Sequence, residues 1–269
     1  MAELHPATLE GWYVLHQAWT TDWSALRAMD PAARSDLADA AQALWEELAA
    51  TAEGWSAPFR LVGGGADWLF AHFRPSLEEL SDVELRIRRS PLGAVLKPEW
   101  DYLSVTEAGL YHATAEAARE HGAGTEAFRT ALDEAARAEL ASPHVRTRLF
   151  PQVPEGMKYV SFYPMSKRRA PGANWYTLPV EERSRLMREH GMTGGPFAGR
   201  IFQVITGSVG LDDWEWGVTL FARDPLDFKR IVTEMRYDDA SALYGEFGEF
   251  VTGIRFAPGG WRELLGAAE

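Results

Sequence analysis

A chain of 269 residues that is 46% apolar and 12% aromatic is long enough for two compact lobes or one large domain, and too rich in core-forming residues to be disordered. Its formal net charge of -12 argues against nucleic acid as a main partner. Cys is absent, which removes disulfides, thiolate metal sites, iron–sulfur clusters and cysteine nucleophiles together, so any metal chemistry must use His, Tyr or carboxylates. No apolar run approaches the roughly 20 residues of a membrane span, and the first ten residues carry no signal-peptide pattern, so a soluble cytoplasmic protein is expected. Eleven Trp suit a deep core, a flat apolar ligand or a subunit interface, and composition does not choose among them.

In chain order, residues 12–19 (WYVLHQAW) alternate as a strand, and 31–48 follow with the helical spacing of Leu37, Ala41, Leu44 and Leu48. Residues 59–62 and 68–73 read as strands around the turn at Gly63, Gly64 and Gly65. Residues 76–89 read as a helix and 102–106 as a closing strand. The Ala/Glu/Arg-rich stretch 113–140 predicts one or two connecting helices. The second half then replays the first: strand 159–163, helix 179–190 ending at Gly191, strands 201–206 and 214–221, helix 225–235, and a last strand within 247–256. Each half has the order β-α-β-β-α-β, so the predicted fold is α+β with two fused ferredoxin-like lobes, of the dimeric α+β barrel type. The predicted division is an N-terminal lobe over 1–112, a helical connection over 113–150 and a C-terminal lobe over 151–269.

Single residues give weaker signals. His190 closes a predicted helix ahead of Gly191, where a favourable interaction with the helix dipole competes with, and outweighs, a ligand role. No other His has metal-ligand spacing. Tyr163 precedes Pro164, which predicts that the strand gives way to a loop there. The following run Lys167-Arg168-Arg169 reads first as a solvated loop and second as a carboxylate-attracting cluster in an acidic protein. Asp212-Asp213-Trp214-Glu215 lacks the register of a calcium loop and reads as a solvated turn. Gly207-Ser208-Val209-Gly210 fits no phosphate-binding pattern, a nucleophile elbow is absent, and nothing selects a catalytic carboxylate pair.

Longer motifs say more. The stretches 163–169 (YPMSKRR), 174–178 (NWYTL), 182–191 (ERSRLMREHG), 203–221 (QVITGSVGLDDWEWGVTLF) and 234–248 (EMRYDDASALYGEFG) resemble the chlorite dismutase-like haem proteins, within them the branch that decarboxylates coproheme. The resemblance covers about residues 145–256. It implies two ferredoxin-like lobes per subunit in a homopentamer. It also implies His190 as proximal iron ligand, Tyr163 as catalytic tyrosine with Lys167 beside it, and Gln203 as a distal polar residue. Arg148, Pro164, Met165, Ser166, Lys167 and Ser241 are then contacts to the porphyrin and its propionates, with Trp216 and Arg236 near the pocket. The implied reaction is peroxide-dependent. A Tyr163 radical removes hydrogen from two propionates of iron coproporphyrin III, which is substrate and redox centre at once, and haem b is the product. Chlorite dismutases carry Arg where this chain has the neutral Gln203, which cannot clamp an oxyanion by charge. A haem peroxidase, or a non-catalytic haem sensor or carrier, is the alternative. Transient contact with the iron-inserting ferrochelatase is a further implied partnership.

Overall fold

The repeat inferred from element order is built as such in the computed structural model, which describes residues 4–267. The first half runs β1 (Thr8–Thr21), a short α1 (Trp23–Ala28), α2 (Pro31–Ala49), β2 (Trp55–Leu61), β3 (Trp68–Arg74), α3 (Leu77–Arg89) and β4 (Leu96–Gly109). Three helices follow: α4 (Tyr111–His121), α5 (Glu126–Ala141) and α6 (Pro143–Leu149). The second half runs β5 (Tyr159–Lys167), a small hairpin of β6 (Arg169–Ala170) and β7 (Ala173–Asn174), α7 (Val180–Gly194), β8 (Ile201–Gly207) and β9 (Trp216–Ala222). It ends with α8 (Leu226–Met235), α9 (Asp239–Ala242), β10 (Gly245–Phe247), β11 (Val251–Arg255) and α10 (Trp261–Leu264).

Strand neighbours give both halves the ferredoxin-like arrangement. The first orders its strands β4-β1-β3-β2, and the second β11-β5-β9-β8, so the fold is α+β with two ferredoxin-like lobes. Local chemistry explains the elements. Helix α2 starts where Asp30 accepts the Ala33 N–H and Pro31 supplies a preset φ, and it buries Leu37, Ala38, Ala41, Trp45 and Leu48 as one stripe. Ser76 caps α3, with Glu78 and Glu79 in its first turn and Arg86, Arg88 and Arg89 in its last, matching the helix dipole at both ends.

Residue contacts divide the chain into two compact units. One comprises Trp12–Val105, Lys158–Phe162 and residues 250–267. Its core is an aromatic cluster in which Trp19, Trp45, Phe70 and Trp261 are fully buried among Leu48, Ile87 and Leu92. The other comprises residues 4–11, Thr106–Met157 and Tyr163–Glu249. Here Trp175, Leu186 and Ala240 form a buried knot with Tyr111, Tyr176 and Tyr244 packed against it. Among the described residues no helix is long and apolar enough to cross a membrane.

Two local expectations are corrected. Helix α7 does not stop at Gly191 but runs on to Gly194, ahead of Pro196. His190 therefore sits a turn inside the helix, where dipole stabilisation has largely decayed. Strand β5 likewise does not end at Pro164. It continues to Lys167 because Pro164 still offers its carbonyl, which accepts the Gly248 N–H at 2.9 Å, and β10 takes up the ladder at Met165. Gly248 permits this approach, since a Cβ there would lie 2.7 Å from Pro164 Cγ.

Candidate functional site

The sequence-predicted residues Arg148, Tyr163–Lys167, His190, Gln203, Trp216, Arg236 and Ser241 all belong to the second unit. Strand alternation puts Tyr163, Met165 and Lys167 on one face of β5. Tyr163 is 8% exposed. Burial pushes its phenol up to about 12, against the nearby Arg236 charge, so it is a neutral phenol at physiological pH. Its ring lies 6.0 Å from that of Phe247, and the Arg236 guanidinium covers Phe247 at 4.1 Å. Arg236 itself is exposed.

Lys167 is 7% exposed, not the solvated loop residue that the basic run suggested. The continued pairing of β5 draws it inward, while Arg169 remains outside. Its Nζ donates to the Ala240 carbonyl at 3.0 Å and sits 4.3 Å above the ring of the buried Trp175. Burial lowers the ammonium pKa to about 8, with Asp238 and Glu215 pulling the other way. Its main-chain N–H donates to Glu215 Oε2 at 2.7 Å. Glu215 is thus buried, not the end of a solvated turn. Its own N–H is taken by the Met165 carbonyl, and Arg169 lies 3.9 Å from its other oxygen.

His190 presents Nδ1 to both carboxylate oxygens of Asp238, at 3.1 Å each. The imidazole is 27% exposed and the Asp238 side chain 5%. Burial works against the Asp238 charge, but the hydrogen bonds from His190 and from the Ser241 N–H win and hold its carboxyl below the usual range. Asp238 caps α9, which ties His190 on one helix to Ser241 and Ala240 on another. With Nδ1 engaged, Nε2 has no hydrogen-bond partner among the described residues and is the atom available to a metal. A carboxylate behind an imidazole is the arrangement that fixes the tautomer and strengthens a metal-ligating His. Among the described residues no three His, Asp or Glu side chains gather into a metal cluster. The donor set therefore suits a metal whose other ligands arrive with it, as in an iron porphyrin.

A second cluster surrounds Trp216. Its indole N–H donates to Glu107 Oε1 at 2.7 Å, and Glu107 interacts in turn with the charge of the exposed Arg148. Burial raises the Glu107 pKa, opposed by Trp216 and Arg148 and assisted by Glu10. Gly207 makes the room, since a Cβ there would meet Glu107 Oε2 at 2.2 Å. Gln203 is exposed on β8, opposite Leu220, and its side chain makes no hydrogen bond among the described residues. No hydrogen bond joins Gln203 to the Tyr163–Lys167 group among the described residues. Sequence reasoning missed Asp238, Glu107 and Trp175. Only Asp238 left a usable trace, as an Asp three residues before Ser241 at a helix start.

Comparison with known proteins extends these observations. The family model described as chlorite dismutase matches residues 34–256. The coproheme decarboxylases of Staphylococcus carnosus and Staphylococcus saprophyticus are each 40% identical, over 91% and 92% of this chain and 92% and 93% of their own lengths. A Halobacterium salinarum protein named for heme binding is 44% identical over 264 residues, and the chain spans 49% of that longer relative. Among solved structures, a heme-binding protein from Thermus thermophilus superposes with a TM-score of 0.84 at 39% identity, covering 98% of both chains. A chlorite dismutase from Candidatus Nitrospira defluvii superposes with a TM-score of 0.72 at 18% identity over 97% of both chains, a likeness of fold alone. By the family model and by these relatives, the chain belongs to the chlorite dismutase-like family.

Proposed function

We propose that this protein is a coproheme decarboxylase, which binds iron coproporphyrin III through His190 and converts two of its propionates to vinyl groups with hydrogen peroxide, giving haem b. The observation that carries this reading is the placing of Tyr163 and Lys167, both buried, on one face of β5, in the unit that also pairs His190 with Asp238. The relatives named coproheme decarboxylase support the substrate.

The bound iron supplies redox chemistry, and the residues supply the rest. Each turnover oxidises one propionate by two electrons: its β-carbon loses hydrogen, the bond to the carboxylate breaks, and carbon dioxide leaves. Peroxide takes up those electrons and becomes two waters. The balance consumes one proton per propionate, because a carboxylate enters and a neutral vinyl group and carbon dioxide leave. Tyr163 is the proposed one-electron relay and hydrogen acceptor, a neutral phenol that must give up its proton as it is oxidised. Lys167 is the proposed group that fixes a propionate by charge and holds a proton close to it. Arg148, Arg236 and Ser241 are the candidates for the remaining propionates, with Pro164, Met165 and Ser166 along the strand and Trp216 and Gln203 bordering the porphyrin. A homopentamer and transient contact with ferrochelatase belong to the same reading and rest on the family resemblance, and a cytoplasmic location is proposed with them.

Titration of the coproheme-loaded protein with peroxide, followed by product mass, tests the proposal. Two successive losses of carbon dioxide are expected. Tyr163→Phe should bind coproheme unchanged and release none, whereas retained turnover removes Tyr163 from the mechanism. Bleaching without loss of mass in the unaltered protein would leave a haem carrier or peroxidase in its place.

A further inference from the structure

A cluster of cations stands in the unit that holds none of the candidate site residues. Lys158, just ahead of β5, and Arg255, the last residue of β11, lie opposite each other at the end of the antiparallel pair β5–β11, both exposed. The register sets Ile254 against Tyr159, and one step on the Arg255 N–H donates to the Lys158 carbonyl at 2.7 Å. Like charges at directly opposed positions destabilise a sheet. No carboxylate relieves this pair, because neither residue takes part in an ion pair among the described residues. The Lys158 ammonium lies 5.2 Å from the Tyr159 ring.

Both side chains line a cavity of about 390 Å³, together with Trp45, Ser56, Pro58 and Phe256. Ser56 is buried, and its hydroxyl accepts from Arg74 Nη2 at 2.8 Å. Arg74 is only 3% exposed and hydrogen-bonds, besides Ser56, to the carbonyls of Leu48 and Phe73, not to an acid. His72, 2.8 Å from the same hydroxyl, is held neutral by complete burial. Two exposed cations, Lys158 and Arg255, therefore border one cavity, and the buried Arg74 reaches its lining only through the Ser56 hydroxyl, in a chain whose net charge is -12. Folding alone gives no reason to keep such an arrangement, because like charges placed opposite one another cost Coulomb energy. A bound anion reverses the sign of that cost. The other wall is apolar, with Phe256 partly exposed over the buried Trp45 and Pro58, and the volume falls at the lower end of the range for small-molecule sites.

We propose that this cavity is a binding site for a small organic anion, with its carboxylate or phosphate between Lys158 and Arg255 and an apolar body against Phe256. The site is independent of the porphyrin reading and would stand if that reading failed.

Calorimetric titration of the full chain with phenyl phosphate, benzoate, inorganic phosphate and benzyl alcohol tests it. Saturable binding of phenyl phosphate or benzoate is expected, and whichever binds tighter identifies the head group. Inorganic phosphate should bind more weakly than phenyl phosphate, and benzyl alcohol not at all. Lys158→Ser and Arg255→Ser should each weaken phenyl phosphate binding roughly tenfold, as loss of one of two charge contacts does. Thermal melting by circular dichroism gives a second readout. Without ligand, each single variant should melt at or above the temperature of the unaltered protein, because the like-charge contact is relieved. Equal affinity for phenyl phosphate and inorganic phosphate would overturn the apolar half of the proposal. Absence of saturable binding at millimolar ligand, or unchanged affinity in the double variant, would overturn the whole.

Discussion

At the scale of single residues, the site depends on two side chains whose setting the sequence could not display. Lys167 lies in a basic run that resembles a solvated loop, yet it is buried over Trp175 with its pKa lowered from 10.5 to about 8. The linkage has a definite sign. Below pH 8 the folded and unfolded chains both hold the proton, and the cost of burying the charge is fully present. Between about 8 and 10.5 the unfolded chain binds more protons, so that cost is relieved and stability rises with pH. Lys167→Met should therefore melt higher than the unaltered apoprotein at pH 7, and the gap should close through that window. A gap independent of pH would place the Lys167 pKa elsewhere. Decarboxylation should fall over the same rise through pH 8, because the reaction consumes a proton and needs the charge. His190 carries the second lesson. Read alone it was a helix-ending His, and only the motif around it pointed to iron. Its carboxylate partner Asp238 lies 48 positions away in sequence, beyond any spacing argument. Asp238→Asn should weaken coproheme binding on the order of 10–100-fold, as loss of a carboxylate behind a metal-ligating His does. It should also raise the ferric/ferrous midpoint potential of the bound iron, and an unchanged potential would mean that His190 is not the ligand.

Element by element, the helices and hairpins were legible wherever period and capping agreed. Residues such as Asp30, Pro31 and Ser76 announce their helices, and the triple glycine at 63–65, each with φ near +80°, announces a turn that only Gly adopts freely. The misread ends were those where a single residue was allowed to veto an element. Pro164 keeps its place in β5 because its carbonyl and not its N–H is used there, which sequence cannot indicate. Gly191 is an interior helical residue and not a left-handed cap: its φ is not positive, and a Cβ would meet nothing within 4 Å. Gly191→Ala should accordingly stabilise α7, by about 0.5–1 kcal/mol, since Gly costs that much in an exposed helix interior. Destabilisation, measured by urea unfolding, would mean that the helix ends at His190 after all. Such a shortened helix would restore the dipole reading of that residue.

For the molecule as a whole, the order of elements was readable because each half repeats it, and the strand neighbours β4-β1-β3-β2 and β11-β5-β9-β8 follow from that order by the ferredoxin-like rule. The grouping of contacts does not follow chain order. Residues 250–267 join the unit built from Trp12–Val105, and what draws them there is the aromatic surplus that composition flagged without placing. Trp261, on the last helix, is fully buried with ring centroids 5.0 Å from Trp68, 4.9 Å from Phe256 and 6.4 Å from Trp45. Of the three readings that eleven Trp allow, deep core is the one Trp45, Trp68 and Trp261 serve. Their indoles are spent on each other, so the N-terminal lobe is stabilised from the far end of the chain. Trp261→Ala removes the largest side chain from that cluster and leaves a cavity that rigid strands cannot close. A loss of about 3–5 kcal/mol is expected, seen as a lower guanidinium midpoint with an unchanged slope. A loss under about 1 kcal/mol, the range of most surface substitutions, would show that the C-terminal helix merely lies on this core and does not complete it.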